Sequence, residues 1–374
     1  MIVKSLTLTN FRNIASLSLT PSDGINVIYG ENAQGKTNIL ESISYLSLIS
    51  SFRASREREL IRFGEEAAAL SAAVFVEERE RVISVRIPET GRREVTVNRV
   101  RAARKADAAG ILKCVLFCPE DLDLIRGSAA LRRRFLDDAI SQLWPNYISL
   151  LSEYQRLLQH KTRILKDYHE MPSLLDTLDD FSAQMCSVAA SIIPYRERFC
   201  RLLSAAAARE HAAISSGREQ LALSYQTVST VTEQGLPPPQ IYELLWQHYA
   251  AHKAAEIASG SCLSGPHKDD LLITIDGLPA KSYASQGQTR TAVLSLKLAQ
   301  RELYFSQTGE YPVLLFDDVL SELDRSRQEY VLRGIGRGQV FITTCESALC
   351  RELENPADQT HETKLFHVKH GSVF

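Results

Sequence analysis

The chain has 374 residues, 44% hydrophobic and 24% charged, a normal balance for a soluble globular protein long enough for two lobes. Its 43 basic and 45 acidic side chains leave a net charge of −2, so overall charge gives no sign of nucleic acid, and DNA contact requires a local basic patch. No apolar run approaches the roughly 20 residues that span a bilayer, and the start MIVKSLTLTN alternates like a strand without the apolar core of a signal peptide, which excludes a membrane anchor from the reading and points to the cytoplasm.

In chain order, VKSLTLTNF and ASLSLTP alternate as strands, and GINVIYG reads as a buried strand. GENAQGKT follows, then apolar residues at helical spacing from Thr37 to Ile49. LSAAVFVEE, RVISVRIPE and REVTVNRV alternate again and predict an antiparallel meander of two or three strands. From about Pro119 the texture turns helical. PEDLDLIRGSAALRRRFLDDAISQL and PNYISLLSEYQRLLQHKTRILKDY read as helices, and a second long helix from about Ser173 to Ala212 is expected to be interrupted or reshaped near Pro194. The segment HEMPS joins the two long helices into an antiparallel hairpin, and PPPQIYELLWQHYAAHKAAEIASG adds a helix opened by prolines. From about Gly265 strands and helices alternate once more: DDLLITIDG, SQGQTRTAVLSLKLAQRELYF, YPVLLFDDV, RSRQEYVLRGI and GQVFITTC. The expected fold class is α/β, with one lobe made from both chain ends (1–115 and 263–374) and a helical lobe inserted between (116–262).

Seven cysteines (Cys114, Cys118, Cys186, Cys200, Cys262, Cys345 and Cys350) lack CxxC spacing, which favours reduced thiols acting as small hydrophobes over a disulfide frame or zinc site. The stretch Gly30, Glu31, Asn32, Ala33, Gln34, Gly35, Lys36 and Thr37 fits G-x-x-x-x-G-K-[ST], with a strand before and a helix after. In that setting the backbone N–H groups and helix dipole face a phosphate, Lys36 reaches the β- and γ-phosphates, and the Thr37 hydroxyl holds Mg²⁺. VLLFDD is an apolar strand ending in two carboxylates. In P-loop enzymes such a strand is expected beside the P-loop strand, with Asp317 on Mg²⁺ and Asp318 polarising the attacking water. SQGQ opens a helix, where Ser285, Gly287 and Gln288 either cap it or bind a γ-phosphate.

P-loop, serine turn, acidic strand and SELD, in that order, resemble an ABC-type ATPase head, in which the serine turn of one copy completes the ATP site of another. The wording is narrower still: GENAQGKTNILESI, SFR, LFCPEDLDLIRGSAALRRRFLD, SGPHKDD, SQGQTRT and LLFDDVLSELD resemble the RecF family of bacterial recombination and gap-repair ATPases, kin to the heads of structural-maintenance-of-chromosomes proteins. The blocks cover residues 1 to about 345. The resemblance implies an ATP-dependent homodimer with weak hydrolysis that holds double-stranded DNA beside single-strand gaps and promotes RecA loading with RecO and RecR. Three features depart from the wider ABC pattern. Asp318 stands where most heads have glutamate; Thr343, Thr344 and Cys345 occupy the switch-histidine region; no Q-loop glutamine is evident, with Glu120 the candidate for that place. These departures suit a slow switch.

Arg53 resembles the arginine that links DNA contact to the ATP site in related heads, and Arg56, Arg93 and Arg132 join it as DNA-contact candidates from three basic groups. Interleaved acidic residues leave a plain solvated surface as the alternative. The His267–Asp270 grouping is expected to be structural rather than a metal site. Two other functions compete: the energising subunit of a membrane transporter, which calls for a Q-loop glutamine and a switch histidine, and a non-catalytic scaffold in which ATP is structural.

Overall fold

The computed structural model describes residues 1–228, 230–334, 337–346 and 362–374. Cys350 lies outside the described residues, and the other six cysteines are free, five of them buried. Strands β1 (Ile2–Phe11) and β2 (Ile14–Leu19) pair as a hairpin and lead to β3 (Ile25–Tyr29), which is buried along almost its whole length. The P-loop follows and opens α1 (Lys36–Leu48). The meander comprises β4 (Ala67–Val76), β5 (Arg79–Pro88), β6 (Glu94–Val97) and β7 (Val100–Arg101), all antiparallel. Its two tight turns place Glu77 and Glu78, then Asn98 and Arg99, at positive φ, the twist that two-residue hairpin loops demand. With β1 and β2 these strands form one six-stranded sheet in the order β2-β1-β4-β5-β6-β7. Strand β8 (Cys114–Phe117) ends this part.

The helical segment holds α2 (Asp123–Arg126), α3 (Ala129–Leu143), α4 (Pro145–Asp167) and α5 (Leu178–Ser215). Helices α4 and α5 pack together as the expected hairpin. Contrary to expectation, α5 runs unbroken past Pro194. Proline removes only one backbone bond, and packing of α5 against α3, α4, the next strand and the next helix offsets it. That strand is β9 (Leu221–Gln226), absent from the sequence reading, and that helix is α6 (Pro238–Ser259). Strands β10 (Asp270–Ile275) and β11 (Leu278–Pro279) join β9 in a three-stranded antiparallel sheet. Helix α7 (Ala280–Tyr283) precedes the long α8 (Gln286–Thr308).

Strand β12 (Val313–Asp317), α9 (Arg325–Gly334), β13 (Val340–Thr344), β14 (Thr363–Lys369) and β15 (Ser372–Val373) complete the chain. The second large sheet runs β15-β14-β3-β13-β12-β8, parallel except at β15. Its central strands are mostly apolar and almost wholly buried, as a parallel sheet covered on both faces requires, with polar residues such as Asp317 and Thr343 at their C-terminal ends. The acidic strand β12 is therefore not beside the P-loop strand β3: β13 pairs with both and separates them.

Two compact units result, Met1–Asp121 with Leu294–Phe374, and Leu122–Val293. The expected return to the first lobe at residue 263 differs from this division. Pairing of β10 with β9 keeps SGPHKDD, and with it the serine turn, in the second unit.

Candidate functional site

Gly30 to Gly35 leave β3 in a tight loop, with Gly30, Ala33 and Gly35 at positive φ. Gly35 heads α1, and its carbonyl accepts from the N–H groups of Asn38 and Ile39. Glu31, Asn32 and Ala33 are exposed, whereas Lys36 is 4% exposed. The Lys36 ammonium donates back to the Gly30 and Glu31 carbonyls at 2.8 and 3.0 Å and so ties the start of α1 to the start of the loop. Burying a charge this deeply is tolerable only with such partners.

Asp317, 7% exposed at the end of β12, accepts from the Thr37 hydroxyl at 2.8 Å and the Thr343 hydroxyl at 2.9 Å, both on Oδ1. Burial raises its carboxyl pKa, and neighbouring Asp318 adds to this; the two hydroxyls and the charge of Arg53 pull it back. Asp318 stands at φ 54, donates its N–H to Thr343 Oγ1 at 3.0 Å, and has a buried Oδ1 with no hydrogen-bond partner among the described residues. Thr37 and Asp317 together offer hard oxygen donors beside a positively charged phosphate cradle, a set that suits Mg²⁺. The orphaned Asp318 oxygen provides a further acceptor for a bound water.

On the P-loop helix, Glu41 is fully buried and accepts from Arg12 Nη2 and Nε at 2.7 and 2.9 Å. It also accepts from Ser51, whose oxygen receives the N–H groups of Arg53 and Ala54. The sequence reading missed Arg12, Asn13 and Glu41. A carboxylate inside the apolar-periodic Thr37–Ile49 segment was the available signal, since a buried charge needs a partner.

The serine turn is built as a cap. Ser285 Oγ accepts from the Gln288 N–H at 3.2 Å, and Gln288 Oε1 accepts from the Ser285 N–H at 2.9 Å. Gln288 also donates to Glu219. Ser285 and Gln286 are exposed, and Gly287 is half-buried. Asp324 of SELD caps α9 by accepting from Arg327 N–H.

Against known proteins, the family described as RecF/RecN/SMC N terminal domain matches residues 2–366. DNA replication and repair protein RecF of Geobacillus kaustophilus is 38% identical, over 100% of this chain and 99% of its own length. The Clostridium tetani protein of the same name is 36% identical over 99% of both. The chain belongs to the RecF family. A solved structure of the recombination mediator protein RecF-ATP in the RecFOR pathway superposes with a TM-score of 0.90 at 32% identity, covering all of this chain and 96% of the other. An Smc head domain from Pyrococcus furiosus shares the fold alone, at TM-score 0.55 and 17% identity over 99% of this chain and 94% of its own. The fold is thus an ABC-type ATPase head with an inserted helical lobe.

Among the arginines proposed at DNA in this RecF-family chain, Arg53 and Arg56 are exposed. Arg93 is paired with Glu57 and keeps about a quarter of its side chain exposed. Arg132 is a correction. Its side chain is 7% exposed and binds both carboxylate oxygens of Asp270 and the Gly127 carbonyl, so its guanidinium is committed to the interior of the helical unit. Glu120, the Q-loop candidate, is exposed at the start of a short 3₁₀ turn, while Asp121 beside it pairs with Lys297. His267 has structural partners: Nδ1 meets the Tyr154 hydroxyl at 2.7 Å and Nε2 the Cys262 carbonyl at 3.1 Å. No helix among the described residues is long and apolar enough to cross a membrane.

Proposed function

We propose that this chain is an ATP-dependent clamp of DNA replication and repair: two copies close around two ATP molecules and together hold double-stranded DNA beside a single-strand gap. Convergence of Lys36, Thr37, Asp317 and Asp318 carries this reading, together with relatives named for DNA replication and repair and a relative solved with ATP. Lys36 and the loop N–H groups bind the triphosphate, and Thr37 and Asp317 hold Mg²⁺. The metal, when bound, neutralises charge on the phosphate oxygens. Asp318 orients a water with its unpaired oxygen. Its side chain is one methylene shorter than glutamate, so hydrolysis is slow, DNA-stimulated, and acts as a release step. Ser285 and Gly287 of one copy complete the site of the other, at the positive end of α8. Arg53 and Arg56 meet phosphates, so binding is salt-sensitive. The protein works in the cytoplasm with RecR and RecO to promote RecA loading; a relative named in the RecFOR pathway supports the first two partners.

The test measures binding to a gapped duplex with and without ATP while light scattering follows mass. ATP is expected to double the mass and tighten binding, Lys36→Met to abolish both, and Asp318→Asn to trap the dimer on DNA. DNA binding indifferent to ATP, at constant mass, overturns the clamp.

A further inference from the structure

The variable residues of a P-loop are ordinarily free, yet here Gln34 is held from outside. Strand β14 lies parallel to β3, pairing Phe366 with Ile28 and His367 with Tyr29, and the His367 and Tyr29 rings stack at 5.0 Å. This register delivers the β14–β15 turn to the cradle. His370 and Gly371, the two turn residues, both have positive φ, as a two-residue hairpin turn requires. Such a turn points its central N–H groups away from its own ladder. Both go to Gln34: the His370 N–H to Oε1 at 2.6 Å and the Gly371 N–H to the main-chain oxygen at 3.0 Å.

The approach is too close for side chains on either side. A Cβ at Gly30 would lie 2.3 Å from the Val368 carbonyl oxygen, and one at Gly371 would lie 2.8 Å from the Asn13 carbonyl oxygen. Asn13 closes the brace. Its Oδ1 accepts from Asn38 Nδ2 at 2.8 Å, and a Cβ at Gly35 would meet the same oxygen at 2.8 Å. Loop start, loop crest and helix head are thus each fixed by chain that lies outside the motif.

We infer that the β14–β15 turn is a positioning element of the phosphate cradle: through Gln34 it holds the Gly30–Gly35 loop in the shape that accepts a nucleoside triphosphate. Gln34, expected from the motif to contact nucleotide, acts instead through the loop. The inference rests on the nucleotide-binding reading above. A loop free to leave this shape binds in proportion to the fraction still competent.

Four variants of the full chain are compared: Gln34→Met, which keeps length but loses the side-chain acceptor; His370→Gly, which keeps the N–H and suits positive φ; a truncation after Lys369; and Lys369→Ala, an exposed neighbour. Readouts are affinity for a fluorescent ATP analogue with Mg²⁺, melting temperature, and amide exchange of residues 30–36 without nucleotide. Gln34→Met and the truncation should weaken binding about tenfold, as a cradle competent one time in ten requires. They should also speed exchange of those amides, while His370→Gly and Lys369→Ala match the parent. Parent-like affinity and exchange in Gln34→Met overturns the inference, whatever the truncation does to folding. So does a lowered melting temperature with unchanged affinity, which marks a purely structural contact. Failure of the parent chain itself to bind the analogue, with Lys36→Met no different, overturns the nucleotide reading instead.

Discussion

Thr343 donates its hydroxyl to Asp317 Oδ1 across 2.9 Å because the parallel register of β12 and β13 sets these two residues side by side. The same oxygen of Thr343 receives the Asp318 N–H, so one threonine braces both carboxylates that end the acidic strand. Thr343, in the region where the sequence comparison expects a switch histidine, is here a fixed part of the Asp317–Asp318 corner.

Replacing Thr343 by valine keeps shape and removes that brace. It leaves the Asp318 N–H without its acceptor and Asp317 with one donor fewer. The folded state should lose about 1–3 kcal/mol, the cost of an unmet buried polar group. ATP hydrolysis should fall on the order of tenfold or more, each tenfold being about 1.4 kcal/mol in the barrier. Thr343→Ser should recover both. Denaturant midpoints and steady-state turnover decide it, and a valine variant as fast as the parent refutes the role.

Asp317 carries a pH signature of opposite sign to an ordinary paired carboxylate. Burial raises its folded pKa above the unfolded value, so its contribution to stability is present at low pH and is lost as pH rises through the folded pKa. At neutral pH the buried charge therefore costs stability. Asp317→Asn should melt higher than the parent at pH 7, by a few degrees on the order expected for a small gain in a chain of this size. The gain should shrink as pH falls into the ordinary carboxylate range. The same variant should lose Mg²⁺-dependent nucleotide binding. A lower melting point at pH 7 contradicts this account.

What was legible in the sequence follows from range. GENAQGKT and VLLFDD are local signals, because a tight loop or a strand end depends on neighbours in the chain, and the structure brings Thr37 and Asp317 within hydrogen-bond distance. The strand order was not legible: whether β12 lies beside β3 or one strand away depends on where β13 inserts, and apolar runs carry no pairing address. The β14–β15 hairpin was missed because its weight comes from contacts more than 300 residues away, such as His370 to Gln34. Arg132 misled because three adjacent arginines read as a basic patch, while helical periodicity turns one of them inward to Asp270.

That difference among the arginines is measurable. Arg53→Ala and Arg56→Ala remove exposed charges and should each lower the salt dependence of DNA binding by about one unit of logarithmic slope, with little effect on melting. Arg132→Ala should leave the slope unchanged but destabilise the chain by about 1–3 kcal/mol, since Asp270, only partly open to water, loses both guanidinium donors and keeps the Leu271 N–H. Titrating DNA binding against salt, beside thermal melts, separates the two classes. A changed slope in Arg132→Ala returns that residue to the DNA surface.

Two groups in the helical unit, the half-buried His267 and the buried Asp269, titrate against each other. Burial lowers the His267 imidazole to about 4 and raises the Asp269 carboxyl to about 6, even with Arg196 beside the carboxylate. For His267 the unfolded chain binds the extra proton, so its contribution is full above the ordinary histidine pKa and is lost as pH falls toward 4. For Asp269 the folded chain binds the extra proton, so its contribution is present below the ordinary carboxylate pKa and is lost as pH rises through 6. Between these limits the two slopes oppose, each about 1.4 kcal/mol per pH unit for one proton. His267→Gln should therefore unmask Asp269: relative to the parent, its stability should fall as pH rises from 4 to 6. Asp269→Asn should show the opposite tilt. Urea midpoints at several pH values in this window test both, and variants whose profiles run parallel to the parent would show that neither group titrates as its burial requires.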